Sequence, residues 1–368
     1  MSGKLCNLAS RRKGKPTMDI RAFMDLSKWP SIRCLQGQRR AYRAAMLRRS
    51  FLLVLTIISV LWPVFAVNAQ KIYSIGSLNT GDPFINAFEG FRQRMTELGY
   101  RERQNVRYQY YNSRGNDELL RSIAHKLVQD KVDLIVTSST TATVAAAKAT
   151  EGTRIPVVFL SSGNPQKLVK SFSSSGSNLA GISSASLELT GKRFELLKEL
   201  APGTKRIAMP LDPNGVNYKA IVHDAEETAP KFGVGTSEIH VRSVGEIAKA
   251  ALAVTRKNFD AIYSPPDSLV TEGIDQLVAQ SVKEKLPFIT SLLVNVKRGC
   301  LATYAADYPA LGRQGAALAD KIFKGIKPSE LPIELPYKLK LVLNLKTARS
   351  IGLQIPKEIL LRADEVVE

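Results

Sequence analysis

Val132-Asp-Leu-Ile-Val-Thr-Ser-Ser-Thr-Thr141, running on through Ala142-Thr-Val-Ala-Ala-Ala-Lys-Ala-Thr150 to Pro156-Val-Val-Phe-Leu160, decides how this chain folds. The run over 132–137 is apolar, β-branched and short, as a buried strand is. Residues 140–150 are Ala-rich and long enough for a helix. Residues 156–160 make a second buried strand. A strand, a polar turn, a helix and a strand in this order form the βαβ unit of a parallel sheet.

The same alternation extends outward. Upstream, 72–78 reads as a strand. Residues 84–98 place Phe84, Ala87, Phe88, Phe91, Met95 and Leu98 at helical spacing, and Gly99 suits the C-terminal cap. A strand over 106–111 and a helix over 118–129 complete this side. Downstream, 178–183 is a fifth strand that leaves the unit. The pattern then restarts, with helices over 187–200, 217–232, 244–257, 269–285 and 311–323. Strands are expected over 206–209, 237–242, 261–263, 287–290 and 301–304. After the Pro-rich stretch 327–338, a strand over 340–345 is consistent with a C-terminal return to the first lobe. The fold class is α/β, with two lobes of parallel sheet joined by a hinge. The expected boundaries are 70–184 for the N-terminal lobe, 185–304 for the C-terminal lobe and 305–368 for the hinge return.

Residues 1–69 stand apart. Arg48 and Arg49 precede an apolar run from Phe51 to Leu61, Pro63 breaks it, and Val67-Asn68-Ala69 offers small residues for a peptidase. Residues 46–69 therefore read as a cleavable signal peptide and direct the remainder to the periplasm. The apolar run is shorter than the roughly 20 residues of a spanning helix, although an uncleaved anchor is the alternative. Residues 1–45 form a basic extension. They are either the product of a start placed upstream of Met46 or a nucleic-acid-binding arm, and the signal that follows favours the first.

The chain carries a net charge of +19, of which +8 falls on 70–368 and is spread along it. Such a spread is a solvated surface and calls for no nucleic-acid partner. Of three cysteines, Cys300 alone lies past the signal, so neither a disulfide nor an acylated anchor is expected there. His125, His223 and His240 are scattered, without metal-ligand spacing. No phosphate loop, nucleophile elbow or metalloprotease motif is present, and neither cofactor nor catalysis is expected.

In open parallel sheets, ligands bind beyond the carboxyl ends of the strands. Those positions are small and polar here: Asn79 and Thr80, then Ser138, Ser139 and Thr140, then Ser161, Ser162 and Asn164. The second lobe supplies Asp212, Ser264, Asp267, Tyr304 and Asp307. A helix opening at Ser138–Thr140 offers hydroxyls and free N–H groups to a carboxylate. Asp267 or Asp307 would face an ammonium. Each Ser, Thr or Asp also suits a helix cap or turn.

Several stretches carry a family resemblance: Glu97-Leu-Gly-Tyr100, Lys192-Arg-Phe-Glu-Leu-Leu-Lys-Glu-Leu-Ala-Pro202, Gly325-Ile-Lys-Pro328 through Pro336, Leu343-Asn-Leu-Lys-Thr-Ala-Arg349 and Leu361-Arg-Ala-Asp-Glu365. From about Lys71 to Glu368 the chain resembles the ABC transporter substrate-binding family that includes tryptophan and tyrosine binders. The resemblance implies a type I periplasmic binding fold of two Rossmann-like lobes with three hinge crossings and a ligand in the cleft. It also implies a small-molecule ligand, a monomeric protein and an inner-membrane ABC permease as partner. The chain departs from the family at Asn164-Pro165, where Asp-Pro is usual, at Ser175-Gly-Ser-Asn178, and at Arg298-Gly-Cys-Leu301. The first change removes a cleft-side charge, so ligand identity does not transfer. A secreted ligand sensor is the alternative function, and an enzyme on the same fold a weaker one.

Overall fold

The computed structural model describes residues 71–368, and the basic extension and signal segment lie outside them. In the first lobe, β1 (Tyr73–Asn79), α1 (Ile85–Glu97), β2 (Val106–Asn112), α2 (Asp117–Gln129), β3 (Leu134–Ser138), α3 (Thr140–Ala149), β4 (Val157–Ser162) and β5 (Leu179–Ser183) follow one another. Their strands form a five-stranded sheet in the order β2-β1-β3-β4-β5, with every pair parallel. β3 and β4 are wholly buried because they are central and covered on both faces. On one face Leu78, Ile135 and Phe159 pack with Leu120, Leu127 and Ala146 of α2 and α3.

The second lobe continues with α4 (Thr190–Leu200), β6 (Arg206–Leu211), α5 (Tyr218–Thr228), β7 (Gly235–His240), α6 (Val244–Leu252), β8 (Ala261–Ser264), α7 (Ser268–Glu272), α8 (Ile274–Lys283), β9 (Phe288–Thr290), α9 (Leu293–Lys297) and β10 (Ala302–Ala306). The chain then crosses back. α10 (Tyr308–Phe323) packs on the first lobe, where Leu311, Ala316 and Leu318 join Phe88, Phe91 and Leu160 in one apolar cluster. Gly312 and Gly90 let α10 approach α1. A Cβ at Gly312 would lie 1.8 Å from the Ala87 carbonyl oxygen, and one at Gly90 2.1 Å from that of Pro309. Arg313 fastens the pair with hydrogen bonds of 2.7 and 2.8 Å to the Glu97 carboxylate.

A third crossing runs past the outer edge of β5, where the Glu334 amide donates to Gly181 and the Ser183 amide donates to Glu334. This contact covers a strand edge otherwise open to pairing. β11 (Leu339–Asn344), α11 (Leu345–Ile351), α12 (Lys357–Arg362) and β12 (Glu365–Val367) end the chain in the second lobe. β11 lies antiparallel to β10, completing a seven-stranded sheet in the order β12-β11-β10-β9-β8-β6-β7.

The structure revises several sequence expectations. The helix expected over 269–285 breaks at Gly273, whose missing Cβ makes room for Ile247. The helix expected over 217–232 ends at Thr228 and tightens into a 3-10 turn at Pro230. α10 starts three residues before the expected 311, because Asp307 caps it and Pro309 occupies its first turn. β3 and β4 run through Ser138 and Ser162, so those serines belong to strands rather than to the turns beyond.

Candidate functional site

The carboxyl ends of both sheets face each other across a small cavity of about 30 Å³. Its apolar wall consists of Phe84, Pro266, Leu292 and Tyr308. The first lobe contributes Ser139, Thr140 and Ser161 as its polar wall, and the second lobe contributes Asn217, Asp267 and Ser268. Ser184 and Ser186, on the first crossing, close the hinge side. Among the described residues that line it, Asp267 is the sole carboxylate, and no Lys, Arg or His is present.

Local chemistry explains each placement. Ser139 sits between β3 and α3 with φ of 85°, a strained conformation for a residue with a side chain. Its hydroxyl accepts from the Ala142 amide at 3.2 Å and from the Thr80 hydroxyl at 3.1 Å. Both lone pairs are thereby engaged, and its own O–H is left to donate. The opening turn of α3 also leaves N–H groups without helical acceptors. Ser161 lies at the end of β4, and its hydroxyl has no hydrogen-bond partner in the protein. Thr140 accepts from the Gly163 amide at 3.1 Å and from Asn217 Nδ2 at 3.3 Å, the latter across the two lobes. Asn217 Oδ1 remains a buried acceptor without a donor.

Asp267 caps α7 by accepting from the Val270 amide, and its second oxygen accepts from the Asp212 amide at 2.9 Å. Burial raises the Asp267 carboxyl above its ordinary range; the amide bonds oppose this shift and the Asp212 charge adds to it. An amine entering the cavity meets a buried carboxylate whose charge no side chain neutralises.

A wider groove of about 750 Å³ adjoins the cavity through Asn217, Pro266, Asp267 and Ser268. Thr80 and Asp212 line this groove. The structure thus brings Ser139, Thr140, Ser161 and Asp267 to the cavity and Thr80 and Asp212 to its mouth. It does not bring the other expected residues to the cavity wall. Asn79 is buried, donating to Ser77 and to the Tyr111 carbonyl. Ser138 and Ser264 are enclosed at their strand ends. Ser162 bonds Thr140 from behind, and Asn164 opens a short 3-10 turn.

Tyr304 and Asp307 require correction. Tyr304 packs on the second-lobe core. Asp307 caps α10 and bonds Lys340 at 3.0 Å, beside a separate cavity of about 400 Å³. Burial pushes its carboxyl up, but Lys340 and the Ala310 amide outweigh that and hold it below the ordinary range. Its charge is already answered, so it is not free for a ligand ammonium.

Phe84, Leu292, Tyr308, Asn217 and the serines of the first crossing were not legible as site residues. Ser183-Ser184-Ala185-Ser186, a polar run at the end of a strand, was the nearest available signal.

The lobes touch. Besides the bond between Asn217 and Thr140, the Lys167 ammonium donates to the Val216 carbonyl at 2.9 Å. Glu272 of α7 presses on the first lobe, its Oε1 lying where a Cβ of Gly81 would stand.

Comparison with known proteins agrees with this geometry. A model of the family described as ABC transporter substrate binding protein matches residues 75–367. A tyrosine-binding protein of Clostridioides difficile (strain R20291) is 28% identical over 288 residues, covering 77% of this chain and 82% of that protein. An ABC domain in complex with L-Trp from Streptococcus pneumonia is 27% identical, with a TM-score of 0.74 over 81% of this chain and 100% of that one. The ligand-free, open structure of a substrate binding protein with adhesive properties from Clostridium difficile is also 27% identical. Its TM-score is 0.61, over 81% of this chain and 99% of that one. At equal identity and equal coverage of this chain, the TM-score to the ligand complex is the higher of the two. The fold, the interlobe cavity and these matches together show that the chain belongs to the ABC transporter substrate binding protein family.

Proposed function

We propose that this protein captures an amino-acid-like solute with an apolar side chain and delivers it, chemically unchanged, to an ABC permease. The observation that carries the reading is the two-sided lining of the cavity. Phe84, Pro266, Leu292 and Tyr308 form one wall, with hydroxyls, a helix N-terminus and Asp267 opposite. Such a lining suits a ligand with a carboxylate, an ammonium and an apolar body. We assign the carboxylate to Ser139, Thr140 and Ser161, and the ammonium to Asp267. Relatives that bind tyrosine and L-Trp support this class of ligand. A cavity of about 30 Å³ holds little more than a water, so entry requires the lobes to part about the crossings.

Delivery from outside the cytoplasm is part of the same proposal. Family membership supports it, as does the signal pattern at 46–69. Among the described residues no helix is long and apolar enough to cross a membrane. N-terminal sequencing of exported protein should begin at Gln70; a chain starting before Met46 would refute export by this signal.

Calorimetric titration with L-tyrosine, L-tryptophan and their decarboxylated amines tests the ligand assignment. Binding of the amino acids and loss of affinity on decarboxylation is the expected result. Equal affinity for the amines, or steady turnover of a bound solute, would sink the reading.

A further inference from the structure

Arg193, in the first turns of α4, is fully buried, the single basic side chain so placed among the described residues. It makes no ion pair there. Its Nε donates to the Tyr304 carbonyl at 3.1 Å and its Nη1 to the Ser186 carbonyl at 2.6 Å. A longer contact of 3.4 Å reaches the Tyr263 hydroxyl. Burying a guanidinium is costly unless hydrogen bonds compensate; two backbone carbonyls do so for Nε and Nη1, while Nη2 is buried without a hydrogen-bond partner in the protein.

The two carbonyls belong to different segments, one on the first crossing and one in the strand that leads into the second. Ser186 lies on the first, between β5 and α4, and lines the cavity. Tyr304 lies near the end of β10, just before the second crossing at Asp307. β9 pairs with β10 at Ala302 and stops at Thr290, so the Tyr304 carbonyl extends past its parallel neighbour. Arg193 fills that gap. The planar fork of a guanidinium can bond two carbonyls at once, which an ammonium does less well. Ser186 passes the constraint on to Ser184 through a bond of 2.9 Å between their hydroxyls.

We propose that Arg193 is a positioning residue for lobe closure, pinning the first and second crossings to one another and fixing the cavity's hinge-side wall. The proposal rests on the solute-capture reading above, although its main test needs no ligand. The lobes turn about crossings held at a common point. Without the pin, each crossing flexes separately and the Ser184–Ser186 wall loses its register with the rest of the cavity.

Hydrogen exchange in ligand-free protein, comparing the parent with Arg193→Lys, tests this. Lysine keeps the charge and loses the fork. Exchange over 184–189 and 304–308 is expected to quicken by about tenfold while β1 and β3 keep their parental rates. L-tyrosine should also dissociate about tenfold faster from the variant. Parental exchange at both crossings, or acceleration spread equally over β1 and β3, would overturn the proposal and leave Arg193 a core residue alone. If L-tyrosine does not bind even the parent, the ligand assignment falls and the exchange result still decides the pin. If Arg193→Lys does not fold, the parent supplies the test. L-tyrosine should then slow exchange at both crossings by a similar factor, and unequal factors would refute a shared pin.

Discussion

Asp267 combines a structural task with a chemical one. Its ordinary pKa is 3.8, and burial raises it. A carboxyl raised on folding favours the folded form while protonated. That contribution is complete below about pH 3.8 and disappears as pH climbs through the raised value. Ligand binding has the opposite dependence, since an ammonium needs the ionised form. Affinity for L-tyrosine should therefore rise with pH through that region, with a proton released on binding. Calorimetry in buffers of different ionisation heat reads this release, and its absence would remove Asp267 from the site. Ser139 carries a second expectation. Ser139→Ala loses the α3 cap and keeps the strained φ, so it should cost about 1 kcal/mol in denaturant unfolding. Ser139→Gly relieves the strain while losing the same bond, and should cost less. The sequence showed that Ser139, Thr140, Ser161 and Asp267 lie at strand ends. It did not show which way each faces. Asp267 and Asp307 are both helix caps, and only the neighbouring Lys338 and Lys340, distant along the chain from Asp307, distinguish the neutralised one.

The helix α10 is tied to the first lobe by contact that leaves no room for a methyl group. Gly312→Ala drives a Cβ into the Ala87 carbonyl, a backbone atom that cannot swing aside. We expect destabilisation of about 1–3 kcal/mol by overpacking, read as a lower denaturant midpoint with little change in slope. An unchanged midpoint would mean that the helices separate at no cost. Periodicity revealed the long elements with one clear apolar face, such as α1 and α2. It missed α9, α11, α12 and β12, which span five, seven, six and three residues. Such short pieces hold their shape through neighbours rather than through their own pattern. The break at Gly273 escaped notice for a related reason, because its cause is Ile247 on another helix.

Closure brings Glu272 of the second lobe against Gly81 of the first. Gly81 is extended, with φ of −171°, so any residue suits its backbone. A side chain there would displace the Glu272 carboxylate, the flexible end of its chain, and should leave the lobes themselves intact. Gly81→Ala is therefore expected to weaken ligand affinity by a few-fold, about 1 kcal/mol, with the ligand-free melting temperature unchanged. Adding Glu272→Ala should restore affinity; a double variant as weak as the single would show that this contact does not limit closure. Two lobes were legible because the β/α alternation restarts after residue 183. That the second sheet has seven strands was not: the strand expected over 340–345 is β11, but it pairs antiparallel with β10 in the second lobe instead of returning to the first, and the three-residue β12 joins it there.

The return of α10 to the first lobe has a consequence for how a nascent chain matures. When β5 has been synthesised, the first sheet is complete in strands but only partly covered, by α1, on the face that α10 will join. Phe88, Phe91 and Leu160 wait for partners made after the whole run from α4 to β10. Such long-range pairing implies high contact order and slow, mutually dependent maturation of both halves. A fragment of residues 70–184 should accordingly expose apolar surface, bind a hydrophobic dye and aggregate. Joining 305–338 to it through a flexible linker should give a cooperative melt, and a fragment that already melts cooperatively alone would show that α10 is dispensable.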